Sequence, residues 1–166
     1  MRLSGFADEI SPDLDEQLRV LEKENIRYLE LRGVWGKSVV ELDAVEIRRV
    51  KDALAAGGFG VSAIGSPIGK VDIEEPFAPH LDAFRYILDM AVSLASPYIR
   101  LFSFYVPREA SSKAYRNQVL DRLAAMLEVA QGSGVMLLHE NESGIYGDIA
   151  ERCLDLLSSL NHTNMR

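Results

Sequence analysis

The feature that most constrains this chain is an alternation repeated five times. Short β-rich runs give way to helical apolar spacing and return roughly every 33 residues, the length of a strand-plus-helix unit. The strand candidates are Arg2–Phe6, Arg27–Arg32, Gly60–Ile64, Tyr98–Tyr105 and Val135–Glu140. Between and after them lie apolar stripes at i, i+3/i+4 and i+7: Leu14/Leu18/Leu21, Ile47/Val50/Leu54, Leu81/Phe84/Leu88/Ala91/Ala95, Leu123/Leu127/Ala130 and Ile149/Cys153/Leu157/Leu160. Three helix starts carry an acidic cap with Glu three residues on: Asp13/Glu16, Asp43/Glu46 and Asp148/Glu151. Gly57-Gly58 and Gly132-Ser-Gly134 stop the second and fourth helices, and Pro97 ends the third. The order is (βα)5.

Two α/β architectures share that order: an incomplete parallel TIM-type (β/α) barrel of about five units, and the flavodoxin-like open sheet as the alternative. The strand ends separate them. A flavodoxin needs a phosphate-cradling loop after its first strand, where this chain has Phe6-Ala-Asp-Glu-Ile10. A receiver domain needs Asp closing the third strand and Lys closing the fifth. Here those ends are Gly65-Ser-Pro67 and Glu140-Asn-Glu142. The barrel is therefore the expected fold.

Charge and cysteine content narrow the function classes. With 25 acidic against 18 basic residues the net charge is −7, against the clustered basic face that nucleic-acid binding requires. No apolar run approaches the roughly 18 residues of a membrane span, and the N-terminus turns acidic by residue 8. One cysteine excludes an internal disulfide. A cytoplasmic protein with no nucleic-acid or membrane partner is the expectation.

The informative anomaly is charge inside strands that should be almost wholly apolar. Glu30 and Arg32 share one strand face, Arg100 shares one with Phe102 and Phe104, and Glu140 shares one with Met136 and Leu138. Unpaired burial of such groups costs several kcal/mol, so they are paired, solvated in a cleft or bound to metal. At the C-terminal ends of barrel strands such residues line active sites. Parity turns His139 toward the helices as a structural residue. Trp35, in the loop after the second strand, stacks on a sugar ring or plugs the barrel mouth. Lys70 binds an anionic substrate group or is simply solvated. Cys153 reads as core, His80 as surface, and Phe102, Phe104 and Tyr105 as core.

Phe6-Ala-Asp-Glu-Ile-Ser11, Tyr28-Leu-Glu-Leu-Arg-Gly33, Ser62-Ala-Ile-Gly-Ser-Pro67, Ile99-Arg-Leu-Phe-Ser103 and Leu138-His-Glu-Asn141 together resemble the sugar phosphate isomerase/epimerase group of the xylose-isomerase-like TIM-barrel superfamily. The likeness runs over essentially all of residues 1–166 and covers the N-terminal part of a complete member, implying one partial barrel domain. It implies proton transfer next to a carbonyl of a ketose or polyol-type substrate, assisted by a divalent metal: manganese, magnesium or cobalt, with zinc a further option. The family's ligand set is Glu, Asp, His, Glu. Its first glutamate closes the fifth strand and matches Glu140, here metal ligand and candidate acid/base; the other three come from later strands.

By the same resemblance Glu30, Arg32 and Arg100 hydrogen-bond substrate hydroxyls or orient the ligand shell, and Glu142, a further candidate substrate contact, stands where many members carry histidine; Trp35 and Lys70 are candidate contacts by their loop positions alone. The expected partners are a small sugar or polyol and a second copy of the chain covering open sheet edges. The chain alone is expected to be inactive although its complete parent would catalyse. A non-catalytic half-barrel is the alternative reading. An endonuclease IV-type nuclease is disfavoured because Ser66-Pro67 and Phe104-Tyr-Val-Pro107 lack that group's histidines.

Overall fold

The computed structural model describes residues 3–109 and 111–166, and two compact units divide the chain. The first comprises residues up to Ser66 together with Tyr86–Ile99; the second comprises Pro67–Arg85 and Arg100–Arg166. Among the described residues the strands form a parallel four-stranded sheet in the order β1 (Tyr28–Leu31), β4 (Gly60–Gly65), β5 (Tyr98–Leu101) and β6 (Met136–His139), half the strand number of a closed barrel, accompanied by five helices.

In the first unit a 3-10 turn, Ala7–Glu9, precedes α1 (Leu14–Lys23) and β1 (Tyr28–Leu31). A two-stranded hairpin of β2 (Gly33–Val34) and β3 (Lys37–Ser38) follows, then α2 (Ala44–Gly57) and β4 (Gly60–Gly65). β1 pairs directly and in parallel with β4, setting Leu29 beside Val61 and Leu31 beside Ile64. The Glu30 N–H donates to Gly5 O at 2.9 Å and Phe6 bridges Glu30 in parallel, so the Gly5–Phe6 segment lies along the other edge of β1. A flavodoxin-like order would insert the first strand between the second and third. Direct β1–β4 pairing rules that order out.

Several sequence expectations are corrected here. Arg2 lies outside the described residues, and the rest of the expected first strand, Leu3–Phe6, is no more than the single bridge at Phe6. The caps at Asp13 and Asp43 form: Asp13 Oδ1 accepts from the Glu16 N–H at 3.0 Å, and Asp43 with Glu46 makes a reciprocal capping box. Gly58 ends α2 in the left-handed region at φ +69°. The helix α3 (Phe77–Ser93) stops before Ala95, which takes φ +52° outside it and leaves the apolar stripe.

The hairpin was not foreseen. Its two-residue turn, Trp35-Gly36, has positive φ at both positions (+55° and +74°), the geometry that matches strand twist. Glycine takes that conformation freely, whereas tryptophan there carries strain.

The second unit holds the end of β5 (Tyr98–Leu101), α4 (Ser112–Ala130), β6 (Met136–His139) and α5 (Ala150–Leu160). The expected fourth strand, Tyr98–Tyr105, is cut short at Leu101. Phe104 takes φ +63° and residues 102–105 bond instead to the 68–73 segment. Arg116 ties α4 to α5 by a two-pronged pair with Asp155, which also accepts from the Tyr146 hydroxyl at 2.7 Å. Those bonds hold the Asp155 carboxyl down at about 2.

Asp148 does not cap α5. It pairs with Arg152 four residues on and leaves Ile149 at the cap position. The backbone of Asn164 and Arg166 bonds to β6 at Leu137 and His139, with Met165 bridging Leu137 in parallel. No helix among the described residues is long and apolar enough to cross a membrane.

Candidate functional site

The site is built on a close backbone approach in the second unit. Gly69 has φ +87°, and a Cβ placed on it would stand 2.0 Å from the Phe102 carbonyl oxygen. Only glycine fits, which lets Phe102 N–H donate to Ile68 O at 2.8 Å and Phe104 N–H to Gly69 O at 2.9 Å. These bonds bring Lys70 over the fully buried Phe102 ring, with Nζ 4.3 Å from its centroid. The guanidinium of Arg100, next to the last residue of β5, lies 4.7 Å from the same centroid. One apolar ring thus carries two cations.

Each cation meets a carboxylate just beyond β6. Arg100 Nη1 is 3.1 Å from Glu140 Oε2, and Lys70 Nζ is 2.5 Å from Glu142 Oε2. The Tyr105 hydroxyl donates to Glu142 Oε1 at 3.1 Å. The hydrogen bond from Lys70 lowers the Glu142 pKa, while burial and the Glu142 carboxylate raise that of Tyr105. At neutral pH Glu142 is therefore an acceptor and Tyr105 a phenol donor. Glu140 is the open member, its side chain 45% exposed against 13% for Arg100. Donors and acceptors alternate over an apolar floor, with the four charges balanced. This arrangement suits hydroxyl and carbonyl groups better than a free anion.

Lys70, Arg100, Glu140 and Glu142 thus come together. Glu30, Arg32 and Trp35 belong to the first unit. Arg32 binds Asp8 at 2.8 Å and Glu9 at 3.1 Å, and its guanidinium stacks on Phe6. Glu30 is half-buried in β1. Arg49 covers one face of the Trp35 ring, 4.4 Å from its centroid.

Tyr105 is the member that sequence reasoning assigned to the core. Its signal was a position shortly past a strand's end, where barrel sites gather. His80, read as a surface residue, is part-buried. Its Nε2 accepts from the Gly69 N–H at 2.9 Å, and burial with nearby Arg122 holds its pKa down at about 4.

His139 and Ser103 form a pair that resembles a base and nucleophile. His139 Nε2 lies 2.9 Å from Ser103 Oγ, which also accepts from the Gly147 N–H at 2.7 Å. Ser103 is wholly buried, so no substrate atom reaches it, and burial lowers His139 to about 4. The pair is structural. Cys153 is half-buried, its thiol donates to Gly147 O at 3.2 Å, and burial pushes its pKa up.

Among the described residues, no three His, Cys, Asp or Glu side chains are grouped to hold a metal ion. Glu140 offers one carboxylate, already paired with Arg100. The residues present fit one ligand position of a divalent centre and do not fit a complete site.

Neither a protein-family model nor a curated relative matches the sequence. Solved structures do match its fold. A xylose isomerase-like TIM barrel protein from Mycobacterium smegmatis, in complex with magnesium, is 13% identical with a TM-score of 0.75, over 99% of this chain and 62% of that one. An L-ribulose 3-epimerase is 19% identical with a TM-score of 0.74, over 99% of this chain and 59% of that one. An AP endonuclease, family 2, from Brucella melitensis is 12% identical with a TM-score of 0.77, over 99% of this chain and 66% of that one. The chain spans about three-fifths of the length of the solved structures first matched. At these identities the likeness concerns the fold alone.

Proposed function

Starting from the fold of the xylose isomerase-like TIM barrels, we propose that this chain forms the first five βα units of a cytoplasmic sugar isomerase or epimerase. Its reaction would be proton transfer next to a carbonyl of a ketose or polyol-type substrate. The observation that carries the reading is the charge-balanced cluster over Phe102, placed where β5 and β6 end. Lys70 and Arg100 donate to carbonyl and hydroxyl oxygens and Glu142 accepts from a hydroxyl, while the buried Phe102 ring beneath holds the two cations in place. Glu140, the exposed carboxylate, is the residue proposed to meet a divalent metal or the transferred proton. The other ligands of such a metal are not among the described residues, so no metal-dependent step is assigned to them.

The nuclease reading has two observations against it: the net charge of −7, and histidine-free ends at Ser66-Pro67 and Phe104–Pro107.

Titrating the labelled chain with D-fructose while following amide chemical shifts tests the cluster. Weak saturable shifts are expected at Lys70, Phe102–Tyr105, Glu140 and Glu142, weakened at least fivefold by Arg100→Gln. Shifts that bypass this cluster would refute it as the sugar contact.

A further inference from the structure

Lys70 reaches the cluster over Phe102 from a turn that needs an outside hold. Pro67–Lys70 form the turn, closed by the Lys70 N–H donating to Pro67 O at 2.9 Å, with Gly69 at its third position. Phe102 leaves room there for glycine alone, yet glycine rotates more freely than any other residue. Rotation at Gly69 would swing the side chain that follows it. Both of its peptide groups must therefore be fixed to keep Lys70 Nζ 4.3 Å from the Phe102 centroid and 2.5 Å from Glu142 Oε2. The Gly69 carbonyl is held by the Phe104 N–H at 2.9 Å. The Gly69 N–H is held by a side chain, donating to His80 Nε2, also at 2.9 Å.

We infer that His80 is a positioning residue for Lys70, its ring nitrogen holding the turn in the orientation that sends the lysine into the cluster. The inference rests on the proposed function in taking Lys70 as a donor to substrate. The placement of the lysine is measurable with no substrate present.

The bond is costly to lose. Gly69 is buried, and a buried N–H without a partner carries the full cost of its lost hydration. Imidazole accepts only through a nitrogen that lacks a proton, so His80 is neutral with its proton on Nδ1. Its surroundings favour that state. The ring lies edge-on to the wholly buried Phe104, with centroids 5.6 Å apart. Arg122, from α4, places its guanidinium 5.1 Å from the Phe77 and Phe104 centroids, and its charge joins burial in opposing a second charge on His80. Arg122 also donates to Glu75 O at 2.7 Å, and Gln118 donates to Ile73 O at 2.9 Å. Those two bonds hold the loop beyond Lys70 and leave the dihedrals of Gly69 to His80 and Phe104. All of these residues belong to the second unit.

Nuclear magnetic resonance of the labelled full chain at pH 7 reads both the bond and its consequence. A scalar coupling across the hydrogen bond is expected between the Gly69 amide nitrogen and His80 Nε2. The Phe102 ring should shift the Lys70 Cε protons upfield. His80→Gln places an amide oxygen near the position of Nε2, whereas His80→Asn is one bond too short to reach. The upfield shift should survive in His80→Gln and fall at least twofold in His80→Asn, with the Ile73 amide signal unmoved in both. If His80→Asn fails to fold, the coupling in the parent together with His80→Gln carries the test. An absent coupling, a parent-like Lys70 shift in His80→Asn, or its loss in His80→Gln would each overturn the inference. D-fructose that leaves Lys70 unperturbed in a parent showing both signals would count against the sugar reading alone, so the two proposals fail separately.

Discussion

Gly69→Ala is expected to destabilise the protein by about 3–4 kcal/mol, a large share of the roughly 5–15 kcal/mol that holds an ordinary domain folded. The methyl group would have to occupy space 2.0 Å from the Phe102 carbonyl oxygen and 2.5 Å from its carbon, both backbone atoms. Neither strand of the contact can retreat cheaply. Phe102 N–H is bonded to Ile68 O, Phe104 N–H to Gly69 O and Tyr105 N–H to Val71 O. The φ of +87° adds strain for any L side chain. Urea unfolding followed by circular dichroism measures the loss. A variant within 0.5 kcal/mol of the parent would show that the 68–73 segment does not run against Phe102 as described, and the placement of Lys70 would fall with it.

Mild acid should be the second strong perturbation. His80 and His139 both have folded-state values near 4 against 6.5 in an unfolded chain, chiefly through burial. A depressed histidine value means that the unfolded chain takes up the proton first as pH falls. The stabilisation is therefore complete above about pH 6.5 and drains away as the pH drops toward 4. Between pH 7 and pH 5 the loss is about 1–2 kcal/mol per histidine, since one pKa unit corresponds to about 1.4 kcal/mol.

Urea midpoints at pH 7 and 5 should fall accordingly, and the fall should shrink when His139 is replaced by Gln. This window lies above that in which Glu142 and Asp155, both held low by ion pairs, begin to protonate. Imidazole resonances that titrate near 6.5 for both residues would contradict the account.

Local signals survived the passage from sequence to structure where a short segment determines its own conformation. Asp13 and Asp43 cap their helices because the bonds close within three residues. Asp148 offered the same pattern, yet Arg152, one helical turn on, competes for its carboxylate. The adjacency of the second and third strands followed from the failure of the compact alternatives at their strand ends, and β1–β4 pairing has that order. The Trp35-Gly36 turn escaped notice because its first position lacks the Asn, Asp or Gly that usually marks such hairpins.

The site was legible as a set of residue types, not as a set of partners. Lys70 and Glu142 are far apart in sequence, and nothing local indicates their pairing. Tyr105 was hidden by an expected strand that ran past Leu101, whereas Phe104 turns into the left-handed region and redirects the chain. His80 escaped because its partner, the Gly69 N–H, exists only once the glycine loop is folded.

The central proposal is that Glu140 and the cluster beside it serve sugar isomerisation or epimerisation. Epimerisation of ketohexoses, assayed with manganese or cobalt, tests it most directly on the 166-residue chain and on a chain extended through three further βα units. The account predicts no turnover from the 166 residues alone. The extended protein should turn over its substrate, and Glu140→Ala should lower that rate at least 100-fold. Turnover by the 166-residue chain, or an extended enzyme indifferent to Glu140→Ala, would contradict it.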